Sequence, residues 1–195
     1  MAIRLLGGRA RGFVLQIPPE NITRPTAIML KRRLFDWRQD WSGECFVDLC
    51  AGSGSMGLEA LSRGASHVWL NEINKTAYRV LEKNVEQWKS QQGLIEQRLT
   101  ITQLDFRKVL DKLHTSSEFA SREVVIYFDP PYEQKELYLD FWRASQGLDM
   151  EVWVESDELK GVKLAEQRQH LSSVVKEIAQ GSHWVLVGRP GLALK

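Results

Sequence analysis

Cysteine is scarce in this chain: Cys45 and Cys50 are the only two among 195 residues. Two thiols five positions apart match no zinc-ligand spacing, so both read as reduced packing residues. Histidine is scarce too. His67, His114, His170 and His183 are scattered, none beside a cysteine or in a His-x-x-x-His pair, and no metal site is expected. No run approaches the ~20 apolar residues a membrane helix needs. The opening Met1-Ala2-Ile3-Arg4-Leu5-Leu6 has neither a long apolar stretch nor a small-residue cleavage site, so no secretory signal and no membrane association are expected. A cytoplasmic protein is the expectation. No internal repeat or low-complexity segment is evident.

Net charge is also nearly absent, at +1, but the balance is uneven. Residues 1–38 carry eight basic side chains (Arg4, Arg9, Arg11, Arg24, Lys31, Arg32, Arg33 and Arg38) against Glu20 and Asp36. That is +6, which leaves −5 for the remainder. A basic arm on an acidic body suits contact with phosphates, and equally a solvated basic face.

Hydrophobic residues make up 43% of the chain, an ordinary globular share. The length suits one domain with a small appendage. Residues 1–45 read as the appendage. Arg4-Leu5-Leu6 and Phe13-Val14-Leu15 flank a Gly- and Arg-rich turn, a hairpin signal; Pro18-Pro19 breaks the chain, and a helix starts near Pro25 and runs to about Trp37. Residues 46–195 read as an α/β body. Its strands fall at Phe46–Leu49, His67–Asn71, Leu99–Leu104, Val124–Phe128 and Val152–Val154. Helices intervene near 55–63, 75–89, 106–113 and 135–146. Two final strands, Leu171–Ile178 and His183–Val187, can pair antiparallel. Strands alternating with helices imply a parallel, doubly wound sheet.

Two segments carry chemistry. The first is Asp48-Leu49-Cys50-Ala51-Gly52-Ser53-Gly54-Ser55-Met56-Gly57, between a strand and a helix, where Gly52, Gly54 and Gly57 match G-x-G-x-x-G. Glycines allow a tight turn and close approach to a ligand, and the helix start offers free N–H groups. Glu72 ends the next strand, at the distance typical of an acid that binds ribose hydroxyls. A dinucleotide and S-adenosyl-L-methionine both fit this much. Asp48 favours the second, because an anion there suits a cationic ligand and would repel a pyrophosphate.

The second segment is Asp129-Pro130-Pro131-Tyr132, directly after the apolar run Val124–Phe128. Ligands of open α/β sheets bind outside the carboxyl ends of the strands, so both segments belong on one edge. The prolines fix the backbone, which can hold the Asp129 carboxylate and the Pro130 carbonyl in set directions. A base amino group is a weak nucleophile because its lone pair is delocalised. Two acceptors gripping its N–H bonds would aim that lone pair and stabilise the growing positive charge. Tyr132 offers an aromatic face for an unstacked base.

On these residues the chain resembles the RsmD-type small-subunit ribosomal RNA guanine-N2 methyltransferases. The likeness runs from Asp48 to Ala65 and through the leader Arg4-Leu5-Leu6-Gly7-Gly8, Arg11-Gly12, Arg24-Pro25-Thr26 and Leu34-Phe35. It continues through Glu72, Asn84, Asp105, Asp129 to Tyr132 and Val154-Glu155-Ser156. The resemblance implies a Rossmann-like class I methyltransferase fold with an N-terminal hairpin-helix extension and a C-terminal antiparallel pair. It implies that Asp48, Gly52 and Gly54 hold the methionine part of the cofactor, Glu72 the ribose, and Asp105 and Phe106 the adenine. Asp129, Pro130 and Tyr132 would receive the guanine. The arginines Arg4, Arg9, Arg11 and Arg24 would contact ribosomal RNA in an assembling small subunit, with the protein acting as a monomer. Asp105 equally suits the plain role of a helix cap, and Glu155 that of a strand end. The leader helix departs from the family pattern, with Ile28-Met29 and Arg32 where the pattern carries Asp-Arg and Glu. A DNA adenine-N6 methyltransferase is the enzymatic alternative, though the chain has no surplus for a target-recognition domain. A nicotinamide-dependent oxidoreductase would leave Asp129 to Tyr132 idle. A non-catalytic RNA-binding assembly factor would account for the basic leader.

Overall fold

A computed structural model describes residues 2–19, 25–92, 98–119 and 122–191, without the side chains of residues 2 and 25–27. The leader forms a two-stranded antiparallel hairpin, β1 (Ala2–Arg4) and β2 (Val14–Gln16), followed by helix α1 (Pro25–Trp37). The body then runs β3 (Cys45–Asp48), α2 (Ser55–Ser62), β4 (His67–Asn71), α3 (Lys75–Gln92), β5 (Arg98–Thr102), α4 (Phe106–Thr115) and β6 (Val124–Phe128). It continues with α5 (Glu136–Ser145), β7 (Glu151–Asp157), the short helix α6 (Leu164–Gln167), β8 (Leu171–Gln180) and β9 (His183–Pro190).

Seven strands make one sheet in the order β5-β4-β3-β6-β7-β9-β8. The first five are parallel to their neighbours, and β9 pairs antiparallel with both β7 and β8. The order reverses beside β3, which places the crevice of a doubly wound sheet between the carboxyl ends of β3 and β6.

Side chains alternate across this sheet with the period of two that a strand imposes. On one face lie Val125, Tyr127, Trp153, Val185 and Val187; on the other, Val124, Ile126, Phe128, Val152, Val154 and Leu186. Both faces are covered, which explains the uninterrupted apolar run of β6. The first face also takes in the leader: Leu5, Phe13, Leu15, Leu30, Leu34 and Phe35 share one buried cluster with Phe46, Leu61 and Trp88. Trp153 at its centre packs edge-on against Trp41 at 5.3 Å between centroids, with Phe35 6.3 Å away. Such rings bury large areas, so the docked leader is integral to this core.

The strand Val152–Val154 is longer than its apolar run suggests, because β7 continues through Glu155, Ser156 and Asp157, all buried. Among the described residues, no helix is long and apolar enough to cross a membrane, and no group of three or more His, Cys, Asp or Glu could hold a metal ion.

Candidate active site

The loop after β3 turns sharply through two left-handed glycines, Gly52 (φ 54°) and Gly54 (φ 81°). A Cβ on Gly54 would stand 2.7 Å from Leu81 Cδ1, so the turn needs glycine for both conformation and space. Glu72 holds the loop: its Oε2 accepts from Gly52 N at 2.8 Å and its Oε1 from Asn74 N at 2.8 Å. Each oxygen keeps a second lone pair. Asn84 braces the same loop from α3 by donating to Ser53 O at 2.8 Å and to Gln16 O of the hairpin at 2.9 Å.

Asp48 ends β3 and is only 1% exposed, yet among the described residues its carboxylate accepts just one hydrogen bond, from Cys50 N at 3.3 Å. Burial pushes its carboxyl up to about 8, with the charges of Glu72 and Glu155 adding to the rise. A buried acid so thinly satisfied is well suited to a cationic ligand. The residues present therefore fit S-adenosyl-L-methionine: a buried acid that its ammonium would hold ionised, a glycine cradle, and a carboxylate with spare acceptors for ribose hydroxyls.

An acid whose pKa is raised on folding holds its proton more tightly in the folded state, so its contribution to stability is present at low pH and lost as pH rises from about 4 to about 8. The ligand-free protein is expected to lose stability across that window, and Asp48→Asn to remove on the order of a few kcal/mol of that loss. Urea unfolding at pH 5 and pH 8 measures it; equal slopes in the two proteins would refute the assignment.

On the neighbouring strand, Phe128 leads into Asp129, and Asp48 lies close enough to raise the Asp129 carboxyl. Burial is the main cause of that rise, Glu155 the next, and the Tyr132 hydroxyl opposes it. Pro130 is buried, and among the described residues no hydrogen bond reaches its carbonyl. Tyr132 is half-buried, with its hydroxyl 3.1 Å from Glu155 Oε1. The glycine loop and the Asp129-to-Tyr132 segment thus stand on one sheet edge.

Phe106 is buried against Phe128, with centroids 5.0 Å apart. Asp105 caps α4, accepting from Arg107 N at 2.9 Å, and its carboxylate also meets the Arg107 guanidinium at 2.8 Å. Arg107 bridges onward to Asp140. Among the leader arginines, Arg4 donates to Gly12 O at 3.1 Å and Arg9 lies over the Trp88 ring at 5.7 Å. Arg11 is exposed, and Arg24 falls outside the described residues. Arg9 also lines a cavity of about 520 Å³ with Gly8, Asp40 and Arg63 at the far end of α2, away from Asp48 and Asp129.

Comparison with known proteins decides the family. Residues 3–187 match the family model described as conserved hypothetical protein 95. The chain belongs to this family, the RsmD type. A stretch of 134 residues is 36% identical to ribosomal RNA small subunit methyltransferase D of Haemophilus influenzae. That match spans 67% of this chain and 64% of the relative, less than two thirds of the relative's length. The solved structure of yhhF from Escherichia coli superposes with a TM-score of 0.71, covering 99% of this chain and 100% of that one at 23% identity. A human methyltransferase 10 domain containing protein gives 0.65, covering 91% and 88% at 17% identity. At such identities the likeness shows the fold, a Rossmann-like class I methyltransferase with the hairpin-helix leader and antiparallel pair seen here.

This RsmD-type chain also holds groups that its sequence does not announce. Glu59 of α2 is fully buried, accepting from Leu6 N at 2.8 Å and Arg63 Nε at 2.9 Å, with Lys31 Nζ at 3.3 Å. Lys31 in turn donates to Ser55 O at 2.7 Å, on the first turn after the glycine loop. Burial lowers Lys31 to about 8, and Glu59 holds it from falling further. The partners are separated by 28 residues and lie in helices that read as amphipathic, so only an aligned charge pattern could have flagged them. Ile28 and Met29, the departures on α1, are exposed at 40% and 44%, and Arg32 is exposed too, so none of them enters the core.

Proposed function

We propose that this chain transfers a methyl group from S-adenosyl-L-methionine to the exocyclic N2 amino group of a guanine in small-subunit ribosomal RNA. The observation that carries the reading is the pairing, on one sheet edge, of a thinly satisfied buried Asp48 with the Asp129 carboxylate and the Pro130 carbonyl, which no hydrogen bond reaches among the described residues. The bound cofactor would supply a methyl group on a sulfonium. Asp48, Gly52, Gly54 and Glu72 would hold it, with Asp105 and Phe106 at its adenine. Asp129 and Pro130 would accept the two amino hydrogens, turning the lone pair outward and stabilising positive charge on nitrogen as the new bond forms. Tyr132 would flank the base.

Guanine suits a carboxylate, since its N1 and N2 present adjacent donors. The name of the Haemophilus relative supports small-subunit ribosomal RNA as the substrate class. Residues 1–45 would act as the RNA-contacting extension, through Arg4, Arg9, Arg11 and Arg24, and residues 46–195 as the methyltransferase domain. Tritiated methyl transfer onto unmethylated small subunits, naked ribosomal RNA and duplex DNA, followed by nucleoside analysis, tests the proposal. Label is expected in N2-methylguanosine from the small subunits; label in N6-methyladenine would overturn the substrate assignment.

A further inference from the structure

His183 shows no pattern along the chain, yet the fold seats it against Tyr132. We propose that Glu155 and His183, the latter held by Asp157, are positioning residues that clamp the Tyr132 hydroxyl from two sides and fix its ring as a rigid wall of the base pocket. The inference rests on the base-methylating role proposed above and adds residues that Asp129 to Tyr132 do not contain.

The hydroxyl lies 3.1 Å from Glu155 Oε1 and 3.3 Å from His183 Nδ1. The two rings are 5.7 Å apart and tilted by 60°. Each clamp is itself fixed. Glu155 Oε2 accepts from the buried Tyr127 hydroxyl. His183 Nε2 faces Asp157 Oδ2 at 3.4 Å, and that oxygen also accepts from Ser182 Oγ at 2.6 Å. The other oxygen of Asp157 accepts from Leu159 N and Lys160 N, both at 2.8 Å. Asp157 and His183 are directly opposed on β7 and β9, so the pairing of these strands sets the spacing.

This network explains why β7 carries buried polar residues to its end. Tyr132 sits on a loop, half-buried, where an untethered ring would sample several rotamers. A wall already in place spares an incoming base the cost of ordering it. The hydroxyl is engaged within the protein, by Glu155 and His183 and beside Asp129, leaving the ring face for the base.

The test is a double-mutant cycle on RNA methylation. Tyr132→Phe and His183→Leu are each expected to lower kcat/KM by about tenfold, chiefly through KM, the scale of one lost hydrogen bond. His183→Asn, which keeps a polar atom near the Nδ1 position, is expected to recover most of the loss. The double variant should lose no more than either single one; multiplied losses of about a hundredfold would overturn the clamp. A second measurement needs no substrate. The ¹⁵N shifts of the His183 ring in the ligand-free protein should move on Tyr132→Phe, and unmoved shifts would overturn the proposal. If the wild-type protein methylates no RNA, the base-methylation reading falls, while the ring shifts still decide the clamp.

Discussion

Asp129→Ala is expected to reduce methyl transfer by a factor on the order of 10³ while leaving S-adenosyl-L-methionine binding nearly unchanged. The asymmetry comes from position. Asp48 and Glu72 belong to the strand ends and loop proposed to grip the cofactor, whereas Asp129 opens the rigid turn beyond β6. Removing its carboxylate takes away the acceptor that aims the amino lone pair and offsets charge growing on nitrogen, a loss felt mainly in the transition state. Asp129→Asn keeps one acceptor but adds an NH₂ group that faces a donor, so it should recover little. The substitution should not unfold the protein. Burial and the neighbouring charges of Glu155 and Asp48 already disfavour the ionised Asp129, and relieving that crowding stabilises the ligand-free fold. Single-turnover methyl transfer with calorimetric cofactor titration separates the two effects. Transfer at the wild-type rate would sink the mechanism, and lost cofactor binding would place Asp129 in the wrong half of the site.

The sequence is most legible where one physical signal dominates. His67–Asn71 and Val124–Phe128 stand out because both faces of those strands are buried, and their boundaries match the structure. The glycine loop is legible because its backbone demands glycine, and Asp129 to Tyr132 because two prolines after a buried strand mark a rigid turn. Legibility fails where a residue's partner is remote. Glu155, Ser156 and Asp157 look like a polar strand exit, yet all three are buried, because Tyr127, Tyr132 and His183 reach them from other elements. His183 is 51 residues from Tyr132, and no local period links the two. Asp105 shows the reverse: its role as a cap is local, and the geometry displays it directly. The short helix Leu164–Gln167 leaves no mark in the sequence because four residues give no period.

The largest effect on stability is expected at Glu59. Glu59→Leu should cost about 3–5 kcal/mol in unfolding free energy, the scale for breaking a buried ion pair by removing one partner. The carboxylate is fully buried and answers three donors at once: Leu6 N from the leader, Arg63 Nε from its own helix and Lys31 Nζ from α1. Without it, Lys31 remains buried with the Ser55 carbonyl and the Phe35 ring as its partners among the described residues. Arg63 keeps its bond to Phe35 O, so most of the penalty falls on the lysine. Lys31→Met in the Glu59→Leu background should therefore restore much of the loss, because an apolar pair of similar volume replaces a charge left alone. Urea unfolding of the two single variants and the double variant completes the cycle; a Glu59→Leu protein as stable as wild type would show that the cluster holds nothing. The consequence reaches the site. Lys31 ties α1 to the first turn of α2, directly after Gly54, so the basic leader and the glycine loop share one anchor. Loosening it should weaken cofactor binding even though Glu59 lies outside the proposed cofactor contacts, and Lys31→Met should leave that weakening uncorrected while it restores stability.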